Sequence, residues 1–155
     1  MGKIICYRID HREFKEGDII TSPGDHIDRL NDLLKAAELR LRGFSQEKAE
    51  LRAGSLYAFT NLEWSKKYFL GKTGFLYELE VDETNVVHVA DMMLVNLISE
   101  AEASDEDSAI SFAKQYWAGG RGNGERIEIL ATEAVVKKLM HTAADKVILK
   151  NQLYK

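Results

Sequence analysis

Residues 74–81 constrain the fold most, because apolar and polar side chains alternate there over the length of a full strand. Phe75, Tyr77, Leu79 and Val81 fall on one face, and Leu76, Glu78, Glu80 and Asp82 fall on the other. Since successive side chains of a β-strand point to opposite faces, this pattern predicts a strand with one buried face. The chain is therefore expected to contain a sheet.

Shorter apolar runs predict further strands, and helical periods separate them. The additional strands are expected over residues 4–9, 18–21, 56–60, 86–90, 126–130 and 146–149. Helices are expected after the N-caps Asp25, Ser45 and Asn61, and over about 91–101, 104–117 and 132–140. The prediction is a single α+β domain over residues 1–155, with about six strands flanked by helices.

Composition limits the classes of protein to which the chain can belong. The 155 residues are 45% hydrophobic and 30% charged, which is typical of a globular domain. The net charge of −4 argues against broad binding of nucleic acid, although local basic patches remain compatible with it. Cys6 is the single cysteine, so no internal disulfide can form, and a reducing compartment fits. No apolar run approaches the ~20 residues that span a bilayer. A cytoplasmic location is expected, and a secreted effector would look the same.

Arg8 is the first candidate binding residue, because a guanidinium inside an apolar strand needs an anion. A diphosphate suits its fork of donors, and a salt bridge to Asp10 is the structural alternative. Tyr57 and Thr60 lie on the predicted strand 56–60. The Tyr57 ring could stack on a flat heterocycle or simply pack in the core, and Thr60 could face a ligand or help to cap the next helix.

Three acids near predicted strand ends are candidates for polarising a ribose hydroxyl or stabilising an oxocarbenium ion. Glu125 directly follows a glycine-rich segment at residues 119–124, and Glu128 lies three residues further on. Both glutamates are equally consistent with solvated positions. Asp91 follows the predicted strand 86–90, and its structural alternative is a helix N-cap.

Other motifs point to no additional chemistry. The glycine-rich segment lacks the lysine and Ser/Thr of a P-loop and precedes a strand, so a mobile substrate loop or a plain connector is expected there. The four histidines are scattered, without the spacing of metal ligands on one helix, and Cys6 has no partner cysteine, so no metal site is expected.

Taken in order, three segments resemble the ADP-ribosyltransferase-like superfamily, and most of all its small bacterial rifampin ADP-ribosyltransferase-like members. Residues 7–21 resemble that group's first strand and its following Gly-Asp turn, residues 57–64 resemble its second motif strand and helix, and residues 74–79 resemble the next core strand. Together they span residues 7–79, about half of the chain. The resemblance implies two small sheets around a cleft that binds NAD.

The resemblance also implies roles for the candidate residues. Arg8 matches the arginine form of the first family position and would hold ribose or phosphate. Tyr57 or Thr60 could supply the second position, and Glu125 or Asp91 the acid that stabilises the oxocarbenium ion. The implied activity cleaves the nicotinamide glycosidic bond of NAD and transfers ADP-ribose to a protein, a nucleic acid or a small molecule. The alternative is a binding module that keeps the fold without catalysis.

Overall fold

The computed structural model describes residues 2–119 and 124–154, which contain seven strands and six α-helices. In chain order these are β1 (Lys3–Asp10), β2 (Ile19–Ile20), α1 (Asp32–Arg42), α2 (Gln46–Gly54), β3 (Leu56–Phe59), α3 (Leu62–Leu70), β4 (Phe75–Asp82), β5 (Val86–Asp91), α4 (Met93–Glu102), α5 (Glu106–Ala118), β6 (Ile127–Ala131), β7 (Ala134–His141) and α6 (Lys146–Leu153). The α+β class predicted from the sequence is confirmed. Most of the predicted glycine-rich segment, residues 120–123, lies outside the described residues.

The seven strands form one antiparallel sheet in the order β2-β7-β4-β1-β3-β6-β5. The prediction of two separate small sheets is therefore wrong. The sheet is nevertheless joined only weakly between β1 and β3, which share one register pair, Tyr7 with Phe59. On its other side, β1 pairs with β4 along its whole length. The sheet thus has a four-stranded half and a three-stranded half joined by a narrow seam.

The two halves fold toward each other around this seam. β6 and β7 lie four strand positions apart in the sheet, about 19 Å if it were flat, but only Thr132 and Glu133 connect them. Three Cα–Cα steps span at most about 11 Å, so the sheet must bend. The bend encloses a core to which both halves contribute: Cys6, Leu79 and Val136 from one half, and Leu56 and Ile129 from the other.

Helices cover the outer surfaces in two groups. α1, α4 and α5 pack around a core that includes Leu41, Ile98 and Tyr116 and that reaches Ala90 on β5. α3 and α6 pack over the other half of the sheet, around Phe69, Leu76 and Leu149. Among the described residues, no helix has the length and apolar character needed to cross a bilayer.

Side-chain caps fix where the helices begin. Ser45 accepts from the backbone N–H of Lys48, and Asn61 accepts from that of Trp64, as the sequence predicts. The first α-helix begins later than predicted, at Asp32, because Asn31 and not Asp25 supplies the cap. The preceding residues form a short 3-10 turn, Ile27–Arg29, that ends in an extended residue and cannot continue as a helix.

The two predictions for residues 132–149 are wrong. Residues 132–140 were expected to form a helix, but β7 occupies this segment, where it pairs with β4 on one side and β2 on the other. The β-branched pair Val135 and Val136 favours that strand. Residues 146–149 were expected to form a strand but begin α6, which buries Leu149 alone. A four-residue apolar run carries no period that separates strand from helix.

Candidate functional site

The seam between β1 and β3 brings Arg8 and Tyr57 together. Beyond the pair of Tyr7 with Phe59 the two strands share no further register pair, and the Arg8 side chain bridges them there. Its Nη1 donates to the carbonyl oxygen of Tyr57 at 2.8 Å, and its Nε donates to Asp10 Oδ2 at 2.8 Å. The Arg8 side chain is 13% exposed, so most of the guanidinium is shielded from bulk solvent.

A second guanidinium shares the Asp10 carboxylate. Arg12 Nε donates to Asp10 Oδ1 at 3.1 Å, and Arg12 Nη2 donates to Oδ2 at 3.0 Å and to the Thr21 carbonyl at 2.8 Å. Burial raises the pKa of Asp10, but the hydrogen bonds from Arg12 and Arg8 outweigh it and lower the pKa to about 2. Two cations on one carboxylate leave a net positive charge at the seam, and the charge of Arg29 also acts on Arg8.

The Tyr57 ring does not share this environment. Its hydroxyl donates to the carbonyl of Arg52, the Arg52 guanidinium lies 4.9 Å from the ring centroid, and the His26 ring lies 5.0 Å away. The backbone carbonyl of Tyr57 therefore accepts from Arg8, whereas the Tyr57 side chain contacts Arg52 on α2. Burial raises the pKa of its hydroxyl.

Thr60, Asp91 and Glu125 gather at the beginning of β6. The backbone N–H of Thr60 donates to the Ile127 carbonyl at 3.1 Å, and Asp91 pairs with Ile127 in the register of β5 and β6. Glu125 precedes β6 by two residues and is exposed. Tyr57 pairs with Leu130, three residues further along β6, so the two groups of candidates lie about 10 Å apart along that strand.

Asp91 lies just before α4, beside the N-cap residue Met92. Its Oδ1 accepts from the backbone N–H of Met93 at 2.9 Å, at the beginning of α4. The backbone of Gly124 approaches the same carboxylate so closely that a Cβ at this position would lie 2.8 Å from Asp91 Oδ2. Asp91 therefore holds the turn that leads into α4 without being the N-cap expected from the sequence, and its other oxygen lies beside the residues that lead into β6.

A buried ionic cluster that sequence reasoning missed lies behind Tyr57. Arg52 donates from Nε to Glu38 Oε2 at 2.8 Å, and from Nη1 to the Tyr116 hydroxyl at 2.7 Å and to Glu128 Oε1 at 3.1 Å. The Tyr116 hydroxyl donates to the same Glu128 oxygen at 2.6 Å. The four residues are at most 4% exposed. Because the charged groups pair with one another, this cluster ties α1, α2, α5 and β6 together.

One signal in the sequence could have revealed the cluster. Leu34, Ala37, Glu38 and Leu41 follow the spacing of a single helix face, so Glu38 occupies a position in the apolar stripe of α1. Burial raises the pKa of Glu38, but its hydrogen bonds with Arg52 and its other basic neighbours outweigh burial and hold the pKa well below its usual range. A carboxylate in an apolar stripe predicts a buried cationic partner, and Arg52 is that partner.

An open groove lies elsewhere on the molecule, between α1, α4 and α5. Its volume is about 560 Å³, and Leu39, Phe44 and Ile110 line it together with the ion pair of Arg40 and Glu102. None of the candidate residues lines it, so the groove and the seam are separate features. Among residues 2–119 and 124–154, no group of three or more His, Cys, Asp or Glu side chains could hold a metal ion.

Comparison of the chain with protein-family models and with curated proteins finds no match.

Proposed function

We propose that the chain binds NAD at the seam between β1 and β3 and transfers its ADP-ribose group to an acceptor. The observation that carries this proposal is the Arg8 guanidinium, which bridges β1 and β3 where they share no register pair, while Arg12 shares its counter-ion Asp10. The net positive charge that results suits a diphosphate, whose oxygens match the donor forks of arginine. The resemblance of residues 7–21, 57–64 and 74–79 to ADP-ribosyltransferases points to the same ligand.

The acids near the beginning of β6 would act on the ribose. In this reaction the glycosidic C–N bond breaks and its electron pair leaves with neutral nicotinamide, while positive charge develops on the ribose. A carboxylate of Glu125 or Asp91 would stabilise that charge, and an acceptor nucleophile would then attack the anomeric carbon and release its proton. Positioning and electrostatics suffice for this step, without a covalent protein intermediate.

A second candidate function is NAD binding without cleavage. Two contacts favour it: Asp10 already partly neutralises Arg8 at 2.8 Å, and Asp91 Oδ1 is already engaged by the backbone N–H of Met93. A relative that keeps the fold and the diphosphate site but has lost a free catalytic acid would bind the dinucleotide and release no nicotinamide.

Two measurements on the same protein separate these functions. Calorimetry measures NAD binding, and chromatography measures nicotinamide release over time. The variants are Arg8→Lys, which removes the fork while keeping the charge, together with Glu125→Gln and Asp91→Asn. Glu47→Gln, an exposed change at the beginning of α2, serves as the matched control.

We expect Arg8→Lys to weaken NAD binding about tenfold, since one arginine-to-lysine change at a fork costs more than 1 kcal/mol. One of the two acid variants should bind NAD normally and lose nicotinamide release, whereas Glu47→Gln should match the wild type. Binding without release in the wild-type protein would assign the chain to the second function. Absence of binding at millimolar NAD would contradict both.

A further inference from the structure

α3 and α6 concentrate positive charge on one surface of an acidic protein. Residues 62–72 and 146–154, which we name the α3–α6 surface, carry five lysines and a single glutamate, whereas the whole chain has 21 basic and 25 acidic side chains. The two helices pack against each other and share the core around Phe69 and Leu149. The basic segments are therefore neighbours in space although they are distant in sequence.

Aromatic rings alternate with the cations on this surface. Trp64 and Tyr68 lie one turn apart on α3, and Lys72 follows two residues after the helix ends. The rings of Trp64 and Tyr68 lie 5.8 Å apart, Lys72 Nζ lies 4.8 Å from the Tyr68 centroid, and the Arg126 guanidinium lies 4.3 Å from the Trp64 ring. On the α6 side, Lys67 Nζ lies 6.0 Å from the ring of Tyr154.

These lysines form no salt bridges with acidic neighbours in the described part of the chain. Within residues 2–119 and 124–154, the lysines that form salt bridges are Lys3 and Lys137, both with Glu80, and neither belongs to the α3–α6 surface. Lys146 instead donates to the backbone carbonyl of Lys72. The surface therefore presents ammonium groups that no carboxylate of the described residues neutralises in a salt bridge.

We propose that the α3–α6 surface binds single-stranded nucleic acid. Phosphates would take the lysine ammonium groups as counter-ions. Unpaired bases would stack on the Tyr154 ring, which is 62% exposed, and pack beside the half-buried rings of Trp64 and Tyr68. A duplex keeps its bases stacked on one another and leaves these rings without partners. A membrane surface would also attract the lysines, so phosphatidylserine vesicles are compared with the oligonucleotides in the test below.

Fluorescence anisotropy with labelled single-stranded RNA and DNA 12-mers, each titrated over a range of salt concentrations, tests the proposal. Each phosphate contact lowers the slope of log K against log salt by about 0.7, so three contacts give a slope of about −2. The double variant Lys67→Glu/Lys72→Glu should weaken binding at least tenfold and flatten that slope. Lys114→Glu, the same charge change at an exposed position of α5, should stay within about twofold of the wild type.

Tyr154→Ala separates stacking from charge. Loss of one base–aromatic contact should weaken binding about fivefold or more and leave the salt slope unchanged. Circular dichroism of each variant identifies any loss of fold, and Lys72 and Tyr154 are exposed enough for their changes to be tolerated.

Four outcomes would overturn the proposal: no binding at about 50 mM salt, an equal loss in Lys114→Glu, equal affinity for a duplex of the same sequence, or tighter binding to phosphatidylserine vesicles than to either oligonucleotide. The assay contains no NAD, so its failure would leave the proposed NAD function untouched.

Discussion

Arg52 on α2 donates to Glu128 on β6 at 3.1 Å, and both residues are 4% exposed. The same guanidinium also holds Glu38 on α1 and the hydroxyl of Tyr116 on α5. Arg52 thus pairs with two buried carboxylates, one from a helix and one from a strand, and Arg42 also donates to Glu38 at 2.9 Å. The arrangement makes Arg52 the residue whose loss the fold should tolerate least.

Arg52→Met should lower the free energy of unfolding by about 3–5 kcal/mol, because it leaves Glu128 buried without its cationic partner and removes one of the cations that pair with Glu38. Urea denaturation followed by circular dichroism measures the loss. Arg40→Met is the matched control: it removes an ion pair with Glu102 whose arginine is 25% exposed, and it should cost about 1 kcal/mol or less. Equal losses in the two variants would contradict a special role for the buried cluster.

The sequence predicted well those elements that local rules specify. The alternation of residues 74–81 became β4, and Ser45 and Asn61 begin α2 and α3 because their side chains satisfy backbone N–H groups within three residues. β7 and α6 were predicted wrongly because their secondary structure depends on partners that are distant in sequence. The residues of β7 are held as a strand by β4, which lies some sixty residues earlier in the chain.

The candidate residues show the same division. The anion that Arg8 needs is in part its near neighbour Asp10, the alternative considered from the sequence, whereas the bond from Arg8 to the Tyr57 carbonyl depends on how β1 and β3 part at the seam. From the sequence, Glu128 is equally consistent with a solvated strand position. It is instead buried, because it pairs with Arg52, which lies 76 residues earlier in the chain. Local patterns identify charged residues in apolar surroundings, but they do not identify their partners.

Asp10 should make the fold sensitive to acid. Its pKa falls from its ordinary value of 3.8 to about 2 in the folded chain, so its stabilising contribution is complete above about pH 5 and is lost as the pH falls through 4 toward 2. The difference corresponds to about 2 kcal/mol. Asp10→Asn should therefore be less stable than the wild type at pH 7, and the gap should close near pH 2. Urea denaturation at pH 7, 4 and 2 measures it, and a gap that stays constant with pH would contradict the assignment.

Gly74 should tolerate no side chain. Its φ of +110° disfavours any L-residue, and a Cβ would lie 2.6 Å from the carbonyl oxygen of Asp10. Gly74→Ala should cost about 3 kcal/mol and disturb the end of β1 that carries the Arg8 group.

Gly54→Ala is the opposite case and the control for Gly74→Ala. Gly54 is the last residue of α2, and no atom lies within 4 Å of a Cβ built there. The change should stabilise the protein by about 0.5–1 kcal/mol, because alanine restricts the unfolded chain. Thermal denaturation of both variants measures opposite shifts in Tm. A small shift for both would show that the close approach of Gly74 to Asp10 is readily relieved.

Cys6 offers a direct probe of unfolding. The thiol is fully buried in the core between the two halves of the sheet, and burial raises its pKa to about 12. Since the thiolate is the reactive form, alkylation at pH 8 requires the chain to open first. We expect the native protein to react at least about a thousandfold more slowly than a free thiol, in proportion to the small unfolded fraction.

The same probe reports on the ionic cluster. Arg52 lies outside the core cluster around Cys6, so Arg52→Met can accelerate alkylation only by raising the unfolded fraction. A loss of about 3 kcal/mol raises that fraction, and with it the alkylation rate, about 100-fold. Mass spectrometry of iodoacetamide-labelled protein over time measures the rate, and Arg40→Met should change it less than about tenfold. Fast labelling of the native wild-type protein would mean that the seam between β1 and β3 opens locally. In that case Arg8, which bridges the seam, and not Arg52, would control access to the thiol.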